Sequence, residues 1–359
     1  MVEVDDLLMM GSEEFFNHVE FLRKRFEFGK FVFIDEQEAG TSFNGRRIRS
    51  DGKKGFKIDM QKFVEERLEP VPLKKGRKAE DEATEEEREA TRAAVGSLTW
   101  AAKEGRPDAA SAASLVASAL SNLRVQDIMD LNKAIVAVKK RADLSLQIQS
   151  IPLAELQWGV ITDASYANAS KGRSQGAFAV IAFEERVVKE GKGRCNLLHW
   201  RSGKIQRVVN STLAAETQSL SRGLSELSWT VSVFNELTTE DFNMKEWEKA
   251  LHQRRLQAFA SEKSEPELKS ICVVDAKSLY DHLSKETIGT ASDKRTALEM
   301  QVIRQTLAET STSIRWLPHP RMVVDVLTKR NGNVEPLHEL LDSGVFSLAD
   351  TKEKLWSCE

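Results

Sequence analysis

The chain has 359 residues, 41% of them hydrophobic and 30% charged, which gives enough apolar content for a packed fold and enough length for two or three domains. A net charge of −3 excludes a global basic field, so a nucleic-acid site has to be a local basic patch. Cys195, Cys272 and Cys358 lie far apart without CxxC spacing, no run approaches the roughly 20 apolar residues of a membrane span, and no signal-peptide pattern opens the chain. These features argue against a disulfide framework or a zinc centre. They predict an intracellular protein, in cytoplasm or nucleus, that is not secreted.

Residues 1–34 open with Met1-Val2-Glu3-Val4, the acids Asp5 and Asp6, and Leu7-Leu8-Met9-Met10. This reads as a strand, a tight turn and a strand. Ser12 is placed to cap a helix with Glu13 and Glu14 in its first turn and Phe15, Val19, Leu22 and Phe26 at helical spacing. Residues 43–58 read as two strands joined at Ser50-Asp51-Gly52, and Met60 to Leu68 as a short helix. Residues 70–92 read as a solvated linker. Pro70 and Pro72 break structure, a basic run follows, and an acidic run starts a helix. Residues 93–142 are rich in Ala and Ser and predict two or three close-packed helices, interrupted at Gly105-Arg106-Pro107-Asp108.

From 156 the pattern changes. Apolar runs at 158–162, 176–183 and 197–201, with Lys171-Gly172-Arg173-Ser174 as a turn, predict three strands in a meander. A long helix follows from Ser211-Thr212, with Leu213, Leu220, Leu224, Leu227, Val231 and Phe234 on one stripe and Glu216 at its border. A polar insertion is expected at 238–268. Then come a buried strand at 271–274, helices at 276–284 and 296–309, a strand from Ser313 to Leu317, and a last helix from about Met322.

Four acids stand in apolar settings: Asp163 after Trp158-Gly159-Val160-Ile161-Thr162, Glu216, Asp275 after Ile271-Cys272-Val273-Val274, and Asp325 in Val323-Val324-Asp325-Val326. A buried acid is costly unless something pairs with it. A crossover helix between 158–162 and 271–274 makes those strands parallel neighbours, with Asp163 and Asp275 at carboxyl ends, where open α/β sheets place their ligands. Glu216 enters from the helix, and Asp325 is expected to start the last one. Two Mg²⁺ ions roughly 4 Å apart, or Mn²⁺ in their place, would relieve the repulsion among the four and support phosphoryl displacement.

The motifs Thr162-Asp163-Ala164-Ser165, Ser211-Thr212-Leu213-Ala214-Ala215-Glu216-Thr217, Val274-Asp275-Ala276-Lys277-Ser278 and Val324-Asp325-Val326-Leu327-Thr328-Lys329 together resemble the ribonuclease H domain of Ty1/copia-type retrotransposon polyproteins. Upstream, Val4-Asp5-Asp6-Leu7-Leu8 resembles the catalytic turn of a reverse transcriptase palm. Phe56-Lys57-Ile58-Asp59-Met60-Gln61-Lys62, Val95-Gly96-Ser97-Leu98-Thr99-Trp100 and Gly105-Arg106-Pro107-Asp108 resemble the segments that follow it. The resemblance implies an α/β chain: a truncated α+β palm-thumb remnant with a charged linker (1–92), a helical connection (93–150), a ribonuclease H-like domain with a mixed sheet and flanking helices (151–345), and a tail (346–359). It implies that the fingers and the other metal-binding palm strand precede Met1, leaving Asp5 and Asp6 vestigial and this chain without polymerase activity by itself.

The implied activity is metal-dependent cleavage of RNA in an RNA–DNA hybrid, with Asp163, Glu216, Asp275 and Asp325 as catalytic metal ligands. His319 stands where related hydrolases use a mobile histidine in product release. Lys171, Arg173, Ser174, Lys204 and Arg207 are candidates for nucleic-acid contact, and the hybrid would be recognised by shape, 2′-hydroxyls and phosphates. The missing N-terminal polymerase portion is a candidate partner. The alternative is an inactive remnant that binds nucleic acid at most.

Overall fold

A computed structural model describes the backbone of residues 2–3, 6–250, 270–284 and 293–348, with side chains from Leu7 onward in that range. Asp5, residues 251–268 of the expected insertion and residues 349–359 of the expected tail lie outside the described residues.

The chain opens with β1 (Val2–Glu3) and β2 (Asp6–Leu7), an antiparallel pair that joins Val2 to Leu7. Helix α1 (Glu13–Arg25) is capped as predicted, the Ser12 hydroxyl accepting from the Phe15 N–H. A separate antiparallel sheet follows in the order β3 (Thr41–Phe43), β4 (Arg46–Ser50), β5 (Phe56–Asp59) and β6 (Ser145–Ile148). The turn between β4 and β5 falls where Ser50-Asp51-Gly52 placed it, and the Asp51 carboxylate accepts from the Lys53 and Gly55 N–H groups at 2.7 and 2.8 Å. A further hairpin at Asn44-Gly45, both at positive φ, joins β3 to β4. Asn-Gly is the usual pair for such a turn.

After α2 (Gln61–Arg67) the chain departs from the expectation of a solvated linker. Val71 and Ala83 are buried, Val71 exchanges hydrogen bonds with the Asn132 side chain, and Arg77 pairs with Glu87 at 2.9 Å. The prolines make the segment extended, and its polar backbone is then satisfied by the helices beside it. Those helices are α3 (Glu85–Glu104), α4 (Ala110–Ala119) and α5 (Val125–Lys140). The break at Arg106-Pro107 buries Arg106 completely: its guanidinium donates to Asp108 and to the Val138 carbonyl.

The second sheet is mixed. Strands β7 (Leu156–Ala169), β8 (Arg173–Glu184) and β9 (Lys192–Lys204) form the predicted antiparallel meander, with short α6 (Arg186–Glu190) between β8 and β9. Helix α7 (Thr212–Thr238) crosses to β10 (Ser270–Val274), which lies parallel to β7 with Trp158 opposite Ser270 and Thr162 opposite Val274. Helices α8 (Lys277–Ser284) and α9 (Lys294–Glu309) lead to β11 (Thr312–Trp316), parallel to β10. The predicted helix from Met322 does not form. A 3₁₀ turn at Asp325–Leu327 stands there, and the helix α10 (Glu335–Ser343) starts ten residues later, ahead of β12 (Val345–Ser347). The apolar run Met322-Val323-Val324 is buried as a loop, so hydrophobicity there reports burial and not helical period. Strand order is β11-β10-β7-β8-β9-β12.

Alternation in these strands divides the core between two faces. Val160, Phe178, Val180, Cys272 and Val274 pack with Leu220, Leu224 and Leu227 of α7 and Met300 and Ile303 of α9. Ile161, Ala179, Ile181, Ile271 and Val273 belong to a second cluster with Leu98, Ile128, Leu131 and Ile135 of the upstream helices and Leu340 of α10. One apolar core therefore spans residue 150.

Helix α7 lies close to the sheet because Ala215, Ser219 and Gly223 recur at four-residue spacing and are all buried. A Cβ at Gly223 would stand 2.6 Å from Thr162 Cγ2 and 3.1 Å from Val160 Cγ2. Gly223→Ala should destabilise the protein in urea titrations: about 1–3 kcal/mol of overpacking outweighs the roughly 1 kcal/mol that Ala gains in helix propensity. A more stable variant would show that the helix does not make this approach.

Candidate metal centre

Asp163 does not end its strand. Its strand β7 runs on to Ala169, but its pairing with β10 stops at Thr162, so Asp163 is the first residue beyond it. Asp275 is the first residue after β10, and its carbonyl accepts from Trp316 Nε1 at 2.9 Å. Glu216 comes from the first turns of α7, whose start is fixed by the Ser211 hydroxyl accepting from the Ala214 N–H. The sheet loses its β10 strand at this edge, and the helix closes it. Asp163, Glu216 and Asp275 each present a carboxylate oxygen, and these oxygens lie within 4.8 Å of one another. Asp163 is 1% and Glu216 4% exposed, and Glu216 Oε2 is buried without a hydrogen-bond partner.

Asp325 sits in its 3₁₀ turn, 2% exposed, with both oxygens engaged. Oδ1 pairs with Lys329 Nζ and stands 3.5 Å from His319 Nε2; Oδ2 accepts from the Asn333 N–H at 2.6 Å. Lys329 Nζ also lies 3.7 Å from Asp163 Oδ2, and the Thr328 hydroxyl donates to that same oxygen. His319, exposed on the rim, places Nδ1 2.8 Å from Asp275 Oδ2. The fourth acid is thus joined to the other three through Lys329 and His319. Sequence reasoning quoted Thr328 and Lys329 within a motif but assigned them no role.

The loop that carries these groups is pinned from several sides. Asn168 donates to the Thr328 carbonyl at 2.7 Å, Ser202 to that of Leu327, and Ser111 of α4 to that of Lys329 at 3.2 Å. Arg330 pairs with Asp127 at 2.9 Å and with Asp130, both on α5.

The electrostatics follow from burial and crowding. Burial first and the Asp275 charge second push the Asp163 carboxyl up to about 7, against the pull of Lys329 and Thr328. Burial raises Glu216 well above the usual carboxylate range, and Asp163 and Asp275 add to the effect. Burial alone would lower Lys329, yet the charges of Asp163 and Asp325 raise it. A donor set made only of carboxylate oxygens, one of them buried and unsatisfied, fits a hard divalent cation such as Mg²⁺ or Mn²⁺.

The predicted nucleic-acid contacts divide. Arg173 donates to the carbonyls of Ile205 and Gln206, and buried Ser174 accepts from the Ala167 N–H at 3.0 Å, so both hold the β7–β8–β9 connections. Lys171, at φ 60° in the turn, Lys204 and Arg207 are exposed; Arg207 lies 3.3 Å from Glu299. Trp200 donates to the Ala102 carbonyl at 2.7 Å and packs against the core.

No protein-family model and no curated protein matches the chain. Among solved structures it is similar to the LC11 ribonuclease H1 isolated from compost by a metagenomic approach, at 12% identity over 48% of this chain and 92% of that one, with a TM-score of 0.29. It is similar to the N-terminal ribonuclease H domain of Rv2228c from Mycobacterium tuberculosis, determined as a fusion with maltose-binding protein, at 11% identity over 50% and 94%, with a TM-score of 0.29. A third likeness is to ribonuclease H1 of Halobacterium salinarum NRC-1, at 12% identity over 45% and 86%, with a TM-score of 0.25.

Because Asp163 binds its proton more tightly in the folded state, its contribution to metal-free stability is fully present below the ordinary carboxylate value of 3.8 and is lost as pH rises through about 7. In chelator at pH 7, Asp163→Asn should therefore be more stable than wild type, with the gap closing towards about pH 4. Urea titrations across that window read the difference; a gap independent of pH would mean that the carboxyl titrates normally.

Proposed function

We propose that this chain hydrolyses the RNA strand of RNA–DNA hybrids with divalent metal, leaving 3′-hydroxyl and 5′-phosphate ends, as the ribonuclease H part of a Ty1/copia-type retrotransposon polyprotein. On this reading residues 1–92 are a reverse transcriptase palm-thumb remnant and 93–150 its helical connection, and the protein acts inside the cell. One observation carries the activity. Three carboxylates from a strand, a helix and a second strand, far apart in sequence, meet within 4.8 Å around a buried, unsatisfied oxygen of Glu216. The meander, crossover helix and parallel strands that bring them together support the same reading.

Asp163, Glu216 and Asp275 would hold Mg²⁺ or Mn²⁺, with Asp325 beside them. A bound ion supplies an activated water and stabilises charge on the transferring phosphate. The chain contributes the rest. Its fold leaves Asp275 partly accessible just past β10 while burying Asp163 and Glu216. On this reading His319, exposed on the rim beside Asp275, would meet a departing phosphate. Lys171, Lys204 and Arg207 supply exposed positive charge, and shape recognition of an A-form duplex needs no base contact.

The inactive-remnant reading is favoured by one observation, the Lys329 ammonium already seated against Asp325 and near Asp163. A hybrid-cleavage assay on the purified chain separates the two. Mg²⁺- or Mn²⁺-dependent nicking of the RNA strand is expected. Asp163→Asn and Asp275→Asn should each lower it roughly 100-fold or more, since losing a ligand costs at least what losing a ligand's supporting partner costs. A folded chain that nicks hybrids with neither metal leaves the remnant reading standing.

A further inference from the structure

We infer that Lys329 occupies the place of a second metal ion, so that this centre takes one divalent cation, held by Asp163, Glu216 and Asp275, and not two. The inference rests on the metal reading above and deepens it.

The two sides of the site differ in what their oxygens still lack. On the Asp275 side, Glu216 Oε2 is buried with no hydrogen-bond partner, and its neighbours are two further carboxylates. That side offers a bare buried oxygen to a cation. On the Asp325 side nothing is lacking: Lys329 Nζ meets Oδ1 and the Asn333 N–H meets Oδ2 at 2.6 Å. The same ammonium is 3.7 Å from Asp163 Oδ2, so it stands between Asp163 and Asp325, where an ion shared by those two acids would have to lie.

An arriving ion would have to displace the ammonium of Lys329, whose main chain is held from several sides. Its own carbonyl accepts from Ser111, the Thr328 carbonyl before it accepts from Asn168, and Arg330 after it is paired to Asp127 and Asp130. Its side chain is two-thirds covered. For a divalent ion to enter, the Lys329 charge must leave a partly buried position beside two carboxylates, and the ion must strip water from itself to replace it.

Counting bound Mn²⁺ on the full chain, after chelator treatment, by equilibrium dialysis and electron spin resonance tests this directly. Wild type should bind one ion. Asp275→Asn should lose it. Lys329→Met, which removes the charge and keeps the stem, should gain a second ion, and Lys329→Arg should stay at one. Two ions on wild type overturn the inference, as does a folded Lys329→Met that still binds one, or wild type that binds none. Should Lys329→Met fail to fold, the wild-type and Lys329→Arg counts decide. The count and the cleavage assay fail separately. One ion without nicking overturns the hydrolase reading and leaves this inference standing, whereas two ions with nicking does the reverse.

Discussion

Repulsion among carboxylates beyond the paired ends of β7 and β10 is the constraint to which the rest of the structure answers. Asp163 and Glu216 are almost fully buried and face Asp275 across less than 5 Å. Such a cluster raises its own proton affinities and strains the fold that holds it. Part of the answer is internal. Lys329 and the Thr328 hydroxyl reach Asp163, and Lys329 closes off Asp325. The other part is left open, at Glu216 Oε2. A fold that satisfies Asp325 so fully and leaves Glu216 Oε2 bare has a polarity: its own cation stands on one side and a bare buried carboxylate oxygen on the other.

Holding this arrangement requires the surrounding layers to be stiff. The small-residue stripe of α7 brings Glu216 down onto the sheet, and the Ser219 hydroxyl, 2.8 Å from the Asp163 carbonyl and 2.9 Å from that of Ala177, ties helix to strand one turn beyond the acid. From the opposite side, α4 and α5 grip the loop from Asp325 to Asn333. The helical segment before the mixed sheet is thus more than a spacer. It shares an apolar core with the sheet, and through Ser111, Asp127 and Asp130 it fixes the backbone on which Lys329 is carried.

Much of the sheet and the gathering of Asp163, Glu216 and Asp275 could be read from sequence, because strand alternation and the leucine stripe of α7 are local patterns with one physical meaning. The parallel pairing of β7 with β10 followed from the crossover. What escaped was set by tertiary context. The run after Asp163 (Ala164-Ser165-Tyr166-Ala167-Asn168) has no apolar alternation, since there β7 pairs only with β8 and passes through an irregularity with Ala167 at φ 55°. The Asn44-Gly45 turn leaves little pattern in the sequence because the strand before it has only three residues. The segment from Met322 resembles a helix start, with Asp325 and Lys329 four apart as in a helical ion pair. In the folded chain that pair closes across a 3₁₀ turn and a loop whose backbone is held by residues up to 218 positions away.

Tertiary context also sets the weight of each of the four acids. In sequence they are equivalent, each a carboxylate in apolar surroundings, and a symmetrical two-ion site is the economical solution. In the structure they are not equivalent, because hydrogen-bond donors are distributed unevenly among them. A carboxylate whose oxygens are both engaged is already solvated by the protein and gains little from an ion, while one with a buried bare oxygen gains a great deal. Ligand strength at this centre is therefore decided less by the presence of an acid than by what else the fold has brought to it. On the one-ion reading proposed above, Asp325, the acid with the most complete set of partners, fixes Lys329 where a second ion would otherwise stand.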